Sequence, residues 1–593
     1  MDPVRYHVAL ADPHAHLFRV SATFPGPFPG GVMEAFFPTW TPGSYLQREF
    51  ARNVVAASAK DEKGAALALA KKDKATWRVE AGRAAAVTLE LDVYANDLTV
   101  RTSHLDGTHA YFNGANLFPL RTETRDAPCL LTIDAPAAWK IATTLPREGK
   151  GFRASDYDHL ADCPVEIGTH RTLSFTAAGV PHEIALWGDG NFDEKALAAD
   201  LAKIVEAQAK LMGGLPFQRY LFIVHLTDKG RGGLEHRDST TLLYPRFGFR
   251  PRKEYEEFLR LASHEYFHAW NVKRLKPKAF DPYDYTRENY TSLLWAMEGF
   301  TEYYEVMSVA RAGLISRERL LAIWGEEITA LLRTPGRKVQ SLAESSFDSW
   351  IKYYRQDENS PNSGVSYYRK GALVALALDM ELRARTKNAK SLDDLMRVMF
   401  ERHGKPGQGA PEDAYAKVLA ELGGAEMAAL LARYVETTAE IDFATHLAHA
   451  GLSFRTRVAD AHDDKGGSAG KRAKKKEGEP EEPAAPWLGL DARAAGGRTQ
   501  VTHVVRDSPA EKAGIYAGDE IVAVDGWRAD EKAWRTRLTE HAPGDVVEVT
   551  VFRRDRLIPL RVTLAAPPAD TAWIETKADP SPAAKAILAS WAG

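Results

Sequence analysis

The chain has 593 residues with 45% hydrophobic and 26% charged content, enough apolar material for more than one core. Its 77 basic and 80 acidic residues nearly cancel, leaving a formal charge of -3. That balance argues against nucleic acid or an anionic membrane as the main partner, because each selects a basic surface. No run approaches the roughly 18 apolar residues of a membrane span. The start, MDPVRYHVALADP, lacks a basic-then-apolar leader, so a cytoplasmic location is expected, with a periplasmic or secreted one following only from a removed leader. Cys129 and Cys163 lie outside any CxxC or Cys/His spacing and are expected to be free, buried thiols.

Residues 1–175 are expected to form a β-rich domain. Phe18, Val20, Ala22 and Phe24 alternate with other residues, as do Val87, Leu89, Leu91 and Val93, the period of half-buried strands. Turn signals at Pro42-Gly43 and Asp106-Gly107 punctuate this stretch. From about 190 a helical period sets in. A helix is predicted over 193–212, opening on Asp193 and closing before Gly213-Gly214. A short strand, Tyr220 to Leu226, follows, and another helix is predicted to begin near Lys253. Residues 176–458 thus read as an α/β unit extending into helices. Residues 459–486, with blocks of like charge and little aliphatic bulk, are expected to be a flexible charged linker. A compact β module over 487–566 and a tail over 567–593 complete the chain.

His264-Glu265-Tyr266-Phe267-His268 carries the strongest chemistry. Imidazoles at i and i+4 lie on one helix face and can reach one tetrahedral Zn²⁺, one ion per chain. Glu265 lies beside them, where a carboxylate can take a proton from the attacking water. A catalytic zinc needs a third protein ligand, and Ala269-Trp270-Asn271-Val272-Lys273 supplies none of the metzincin type. Glu288, Glu298, Glu302 and Glu305 are the available acids, and Glu298, within WAMEGFTEYY, is favoured. Glu302, one turn later, is a candidate hydrogen-bond partner for a ligand histidine.

HEYFH followed by WAMEGFTEYY resembles the gluzincin peptidases, and the second segment is similar to the helix bearing the ligand glutamate in the aminopeptidase N group. Glu298 follows His268 by 30 residues, later than in that group. The longer spacing, the β-rich start with its TPGSY (41–45) and the C-terminal module resemble the glycyl aminopeptidase family over nearly the whole chain. That resemblance implies a β-rich N-terminal domain, a thermolysin-like α/β catalytic domain and removal of small N-terminal residues, glycine or alanine, from peptides with a free N-terminus.

Two further segments fit the resemblance. Gly232-Gly233-Leu234-Glu235-His236 is similar to a GxMEN edge strand, which implies that Gly233 and Leu234 pair with the peptide backbone and Glu235 takes its α-ammonium. Leu234 and His236 depart from that pattern. Val365-Ser366-Tyr367-Tyr368-Arg369-Lys370-Gly371-Ala372 resembles a YxKGA motif and implies Tyr368 as the oxyanion donor, with Tyr367 as its neighbour and competitor. In the C-terminal module, Trp487-Leu488-Gly489-Leu490, Ser508-Pro509-Ala510 and Gly518-Asp519-Glu520-Ile521 resemble a PDZ domain of the bacterial protease type. The WLGL loop would then meet the carboxylate of a peptide or protein C-terminus. Two other readings of the chain stay open: a thermolysin-like endopeptidase, and a non-catalytic PDZ-containing peptide-binding protein.

Overall fold

In the computed structural model, which describes residues 1–470, 485–530 and 533–592, the chain divides into two compact units. The first comprises Met1–Thr291, Tyr304–Ile315 and Met396–Ala414; the second comprises Ser292–Tyr303, Ser316–Leu395 and Tyr415–Gly593.

The first unit opens on sheets. Strands Leu17–Pro25 and Ala86–Tyr94 pair antiparallel, setting Phe18, Val20, Ala22 and Phe24 opposite Val93, Leu91, Leu89 and Val87. All eight side chains are buried, so the alternation read from the sequence is the inward face of one seven-stranded sheet. A four-stranded and a three-stranded sheet accompany it. Cys129 and Cys163 are free and buried.

A five-stranded sheet then forms the floor of the candidate site. Its order is Arg171–Ala177, Val180–Trp187, Tyr220–Thr227, Ser239–Pro245 and Gly232–Glu235. The boundary expected at 175 thus falls inside a strand of this sheet. Gly232–Glu235 lies at the sheet edge, antiparallel to Ser239–Pro245, with Leu234 opposite Thr241. The helix Glu194–Met212 begins where its cap predicts: Asp193 accepts the Ala196 amide at 2.9 Å, and Gly213 takes a left-handed φ of 79°. Beyond it, the helix Arg252–Phe267 carries the HExxH motif.

The second unit is largely helical and holds the PDZ-like module. That module is inserted between two strands that pair with each other, Leu452–Arg457 and Thr571–Thr576. The tail is therefore part of the fold. After its strand comes the helix Pro582–Ala592, whose Trp591 is fully buried and donates to Tyr303 Oη at 2.9 Å. Residues 459–470, expected to belong to a flexible linker, are docked. Asp464 accepts from Arg457 Nη1 at 2.6 Å, and the Gly467 amide bonds the Ala572 carbonyl at 2.8 Å. Charge-rich composition misled because these charges are satisfied by specific partners. Linker residues 471–484 lie outside the described residues. No helix among the described residues is long and apolar enough to cross a membrane.

Candidate active site

Within the first unit, His264 and His268 emerge at the end of one helix, with ring centroids 4.7 Å apart. Each ring is oriented from behind. His264 Nδ1 donates to Glu305 Oε2 at 3.1 Å, and His268 Nδ1 donates to the Asn271 carbonyl at 2.9 Å. A carbonyl only accepts, so Nδ1 of His268 carries the proton and Nε2 the lone pair; the Glu305 bond gives His264 the same tautomer. Arg260 Nε bonds the other Glu305 oxygen at 2.8 Å. Burial by itself would raise this carboxyl, but Arg260 and His264 hold it well below the usual carboxylate range. The hydrogen-bonding acid that the sequence placed at Glu302 is thus, for His264, Glu305. Glu305 stood in the pool of candidate acids, but nothing in its spacing marked it for this part.

Glu265 is buried against the edge strand. A Cβ added at Gly233 would overlap its carboxylate, so only glycine lets the strand backbone approach the proposed base this closely. Gly233→Ala should therefore lower kcat by more than about a hundredfold through displacement of Glu265. The check is steady-state kinetics beside far-UV circular dichroism, and near wild-type kcat in a folded variant would refute this seating.

Glu235 ends the same strand and is also buried. One ligand-type atom from each of Glu235, Glu265 and His268 lies within 4.8 Å of the others. Its carboxylate rests on the TPGSY loop. Gly43 has φ of 88°, and a Cβ there would sit 2.5 Å from Glu235 Oε1. Glu235 Oε1 is buried with no hydrogen-bond partner among the described residues. Its neighbour His236, which departs from the family pattern, turns away to Asp162 Oδ1 at 3.2 Å, an oxygen that also accepts from Lys273 Nζ at 2.6 Å.

Glu298 and Tyr368 belong to the second unit. Glu298 is buried in a π-helical turn, Trp295–Gly299, that runs into the helix Phe300–Arg311. Such wide turns recur at functional sites because they redirect one side chain within a helix. Tyr368 lies at the start of the helix Tyr367–Arg385, capped by Ser366. Two glycines let these segments cross at backbone distance: a Cβ at Gly299 would be 2.5 Å from Gly371 Cα, and one at Gly371 would be 2.7 Å from the Trp295 carbonyl. Hence the glycine in each motif. Burial pushes the Tyr368 phenol well above its usual pKa, and the Glu298 charge adds to this, keeping the hydroxyl protonated as a donor. Tyr354 Oη lies 3.2 Å from Tyr368 Oη. Tyr367 is fully buried, stacked on Tyr368 and tilted against Tyr353.

The WLGL loop lies at a separate place in this unit. Trp487, Leu488, Gly489 and Leu490 line a cavity of about 1080 Å³ together with Trp534 and Leu538 of the helix Ala533–Leu538. The docked residues Val458–His462 line it as well. Gly489 takes φ of 79° with its backbone against Ser508, so the loop turns tightly before the strand Leu490–Ala495.

Three family models match this chain: the Peptidase M61 N-terminal domain over residues 5–169, M61 glycyl aminopeptidase over 257–374 and the PDZ domain over 486–564. A crystal structure of an aminopeptidase N family protein from Idiomarina loihiensis is 34% identical, with a TM-score of 0.92, and the match covers 100% of both chains. The chain belongs to the M61 glycyl aminopeptidase family. Over 65 residues this M61 chain is also 42% identical to a probable periplasmic serine endoprotease, DegP-like, of Brucella suis biovar 1 (strain 1330), a match spanning 11% of this chain and 13% of that protein. An M1 zinc metallopeptidase from Deinococcus radiodurans aligns with a TM-score of 0.47 and 15% identity over 74% of this chain and 95% of its own.

Proposed function

We propose that this M61 chain is a zinc-dependent aminopeptidase that removes single residues, small ones such as glycine and alanine by family, from peptides with a free N-terminus. The metal would be held by Nε2 of His264, Nε2 of His268 and the carboxylate of Glu298. The donor set fits zinc: two imidazoles whose Nδ1 protons are already committed, and a buried carboxylate that gains from a cation. When bound, zinc supplies Lewis acidity toward the scissile carbonyl and acidity to a water.

The remaining chemistry belongs to the chain. Glu265 takes the proton of the attacking water and returns it to the departing amine. Tyr368 donates a hydrogen bond to the carbonyl oxygen as negative charge gathers there. The edge strand Gly232–Glu235 pairs with the peptide backbone. Glu235 binds the α-ammonium, and this observation carries the reading: a buried carboxylate oxygen with no donor among the described residues lies beside the proposed base. A buried carboxylate oxygen without a donor is costly, so the position favours a cationic occupant that can hydrogen-bond it and discriminates against a blocked N-terminus. A carboxylate in this place disfavours the endopeptidase reading, which requires chain to continue past it. The PDZ-like module would hold a second peptide segment by its carboxylate at the WLGL loop.

The test is hydrolysis of Gly-, Ala- and Leu-p-nitroanilide beside an N-acetylated peptide, before and after chelation and zinc restoration. Turnover of the free-amine substrates alone, lost on chelation and restored by zinc, is expected. Cleavage of the acetylated peptide at a comparable rate would replace this reading with the endopeptidase, and no turnover by zinc-loaded protein would leave a peptide-binding protein.

A further inference from the structure

The first unit holds a second cluster of metal-type ligands, separate in its residues from the HExxH constellation. The hairpin formed by His104–Leu105 and His109–Phe112 turns at Asp106, whose Oδ1 accepts from the Thr108 amide at 2.7 Å and the His109 amide at 3.1 Å. Its other oxygen lies 3.2 Å from His104 Nε2. His104, Asp106 and His109 each offer a ligand atom, and the three atoms lie within 4.8 Å of one another. His109 is fully buried and stacked on Trp187 at 3.7 Å, so its ring has little freedom. Behind it, His109 Nδ1 bonds Glu166 Oε1 at 3.0 Å, and Glu166 Oε2 bonds His225 Nε2 at 2.9 Å.

We infer that His104, Asp106 and His109 form a second binding site for a divalent transition metal ion of the zinc class. Two imidazoles and one carboxylate suit that class, with water as the fourth ligand. A carboxylate on the far nitrogen of a ligand histidine is the arrangement that orients such a ring and sharpens its basicity; Glu166 stands in that relation to His109 and is anchored by His225. With Nδ1 bonded to Glu166, Nε2 is the lone-pair nitrogen of His109, and it has no hydrogen-bond partner among the described residues; neither does Nδ1 of His104. A hairpin turn held by hydrogen bonds alone leaves these two buried nitrogens unsatisfied, which native proteins avoid. The Asp106 side chain is 32% exposed and supplies the entry path that the fully buried Glu166 and His225 lack. An ion here would pin the hairpin against the sheet that carries His225, two strands from the edge strand Gly232–Glu235.

The test uses full-length protein, stripped by chelation and dialysed against Co²⁺, with bound cobalt counted by mass spectrometry. Wild type should retain about two equivalents per chain, and His104→Ala and His264→Ala/His268→Ala about one each. No retained cobalt in folded His264→Ala/His268→Ala, or an unchanged count in folded His104→Ala, would overturn the second site. Should His104→Ala fail to fold, Asp106→Asn keeps an acceptor for the turn and should weaken one of the two cobalt sites by at least about tenfold; two unchanged affinities would equally overturn it.

Discussion

Glu265→Gln is expected to lower kcat on alanine p-nitroanilide by about a hundred- to ten-thousand-fold, the usual worth of a positioned general base. Glutamine has the same size and can lie against Gly233 as the carboxylate does, so the edge strand need not move. What disappears is the capacity to accept a proton. His264 and His268 keep their bonds to Glu305 and Asn271, so the zinc content of the variant should match that of wild type. KM should change little, because the substitution removes an interaction made chiefly in the transition state. The measurement is kcat and KM beside metal content by mass spectrometry. A fall of less than tenfold in zinc-replete variant would remove Glu265 from the base role.

Glu235→Gln should produce an effect of a different kind. A hydrogen bond between charged groups in a dry site is worth roughly 1.5–3 kcal/mol, so kcat/KM for free-amine substrates should fall about ten- to 150-fold. Much of the loss should appear in KM, since the α-ammonium is bound before the reaction begins. Glutamine keeps the contact with Gly43, which separates loss of charge from loss of packing. Discrimination between a free-amine substrate and its N-acetylated counterpart should narrow by the same factor. An unchanged ratio between the two would show that Glu235 does not read the N-terminus, and the exopeptidase reading would lose its main support.

Much of this site was legible before folding was considered. Two histidines four residues apart place their rings on one helix face whatever the tertiary context, and the glutamate between them travels with the motif. The alternation of Phe18, Val20, Ala22 and Phe24 likewise marks a buried face, because side chains on a strand alternate by geometry. The cap at Asp193 and the left-handed Gly213 bound their helix locally, and the helix starts and stops there. Long-range relations were not legible in this way. Glu302 and Glu305 share one helix and differ by a single turn, so sequence could not choose between them; the position of Arg260 on the neighbouring helix makes Glu305 the anchor of His264.

Composition also failed where specific pairing mattered. Residues 459–470 are too polar to make a core of their own, yet Asp464 docks because Arg457, on the preceding strand, meets its carboxylate and Arg333, from a helix far along the chain, meets its carbonyl. The sequence by itself therefore determined the zinc-binding pattern, the candidate base, the strand faces and the presence of a PDZ module, all of which depend on residues close in the chain. Only the tertiary structure decided that TPGSY backs Glu235, that Gly233 seats Glu265, that Gly299 and Gly371 cross at contact distance, and that His104, Asp106 and His109 gather above Glu166. The physical reason is common to these cases. Local periodicity sets which face of an element is buried, whereas the partner that meets that face comes from remote segments, selected by close packing and by the need of each buried polar group for a partner.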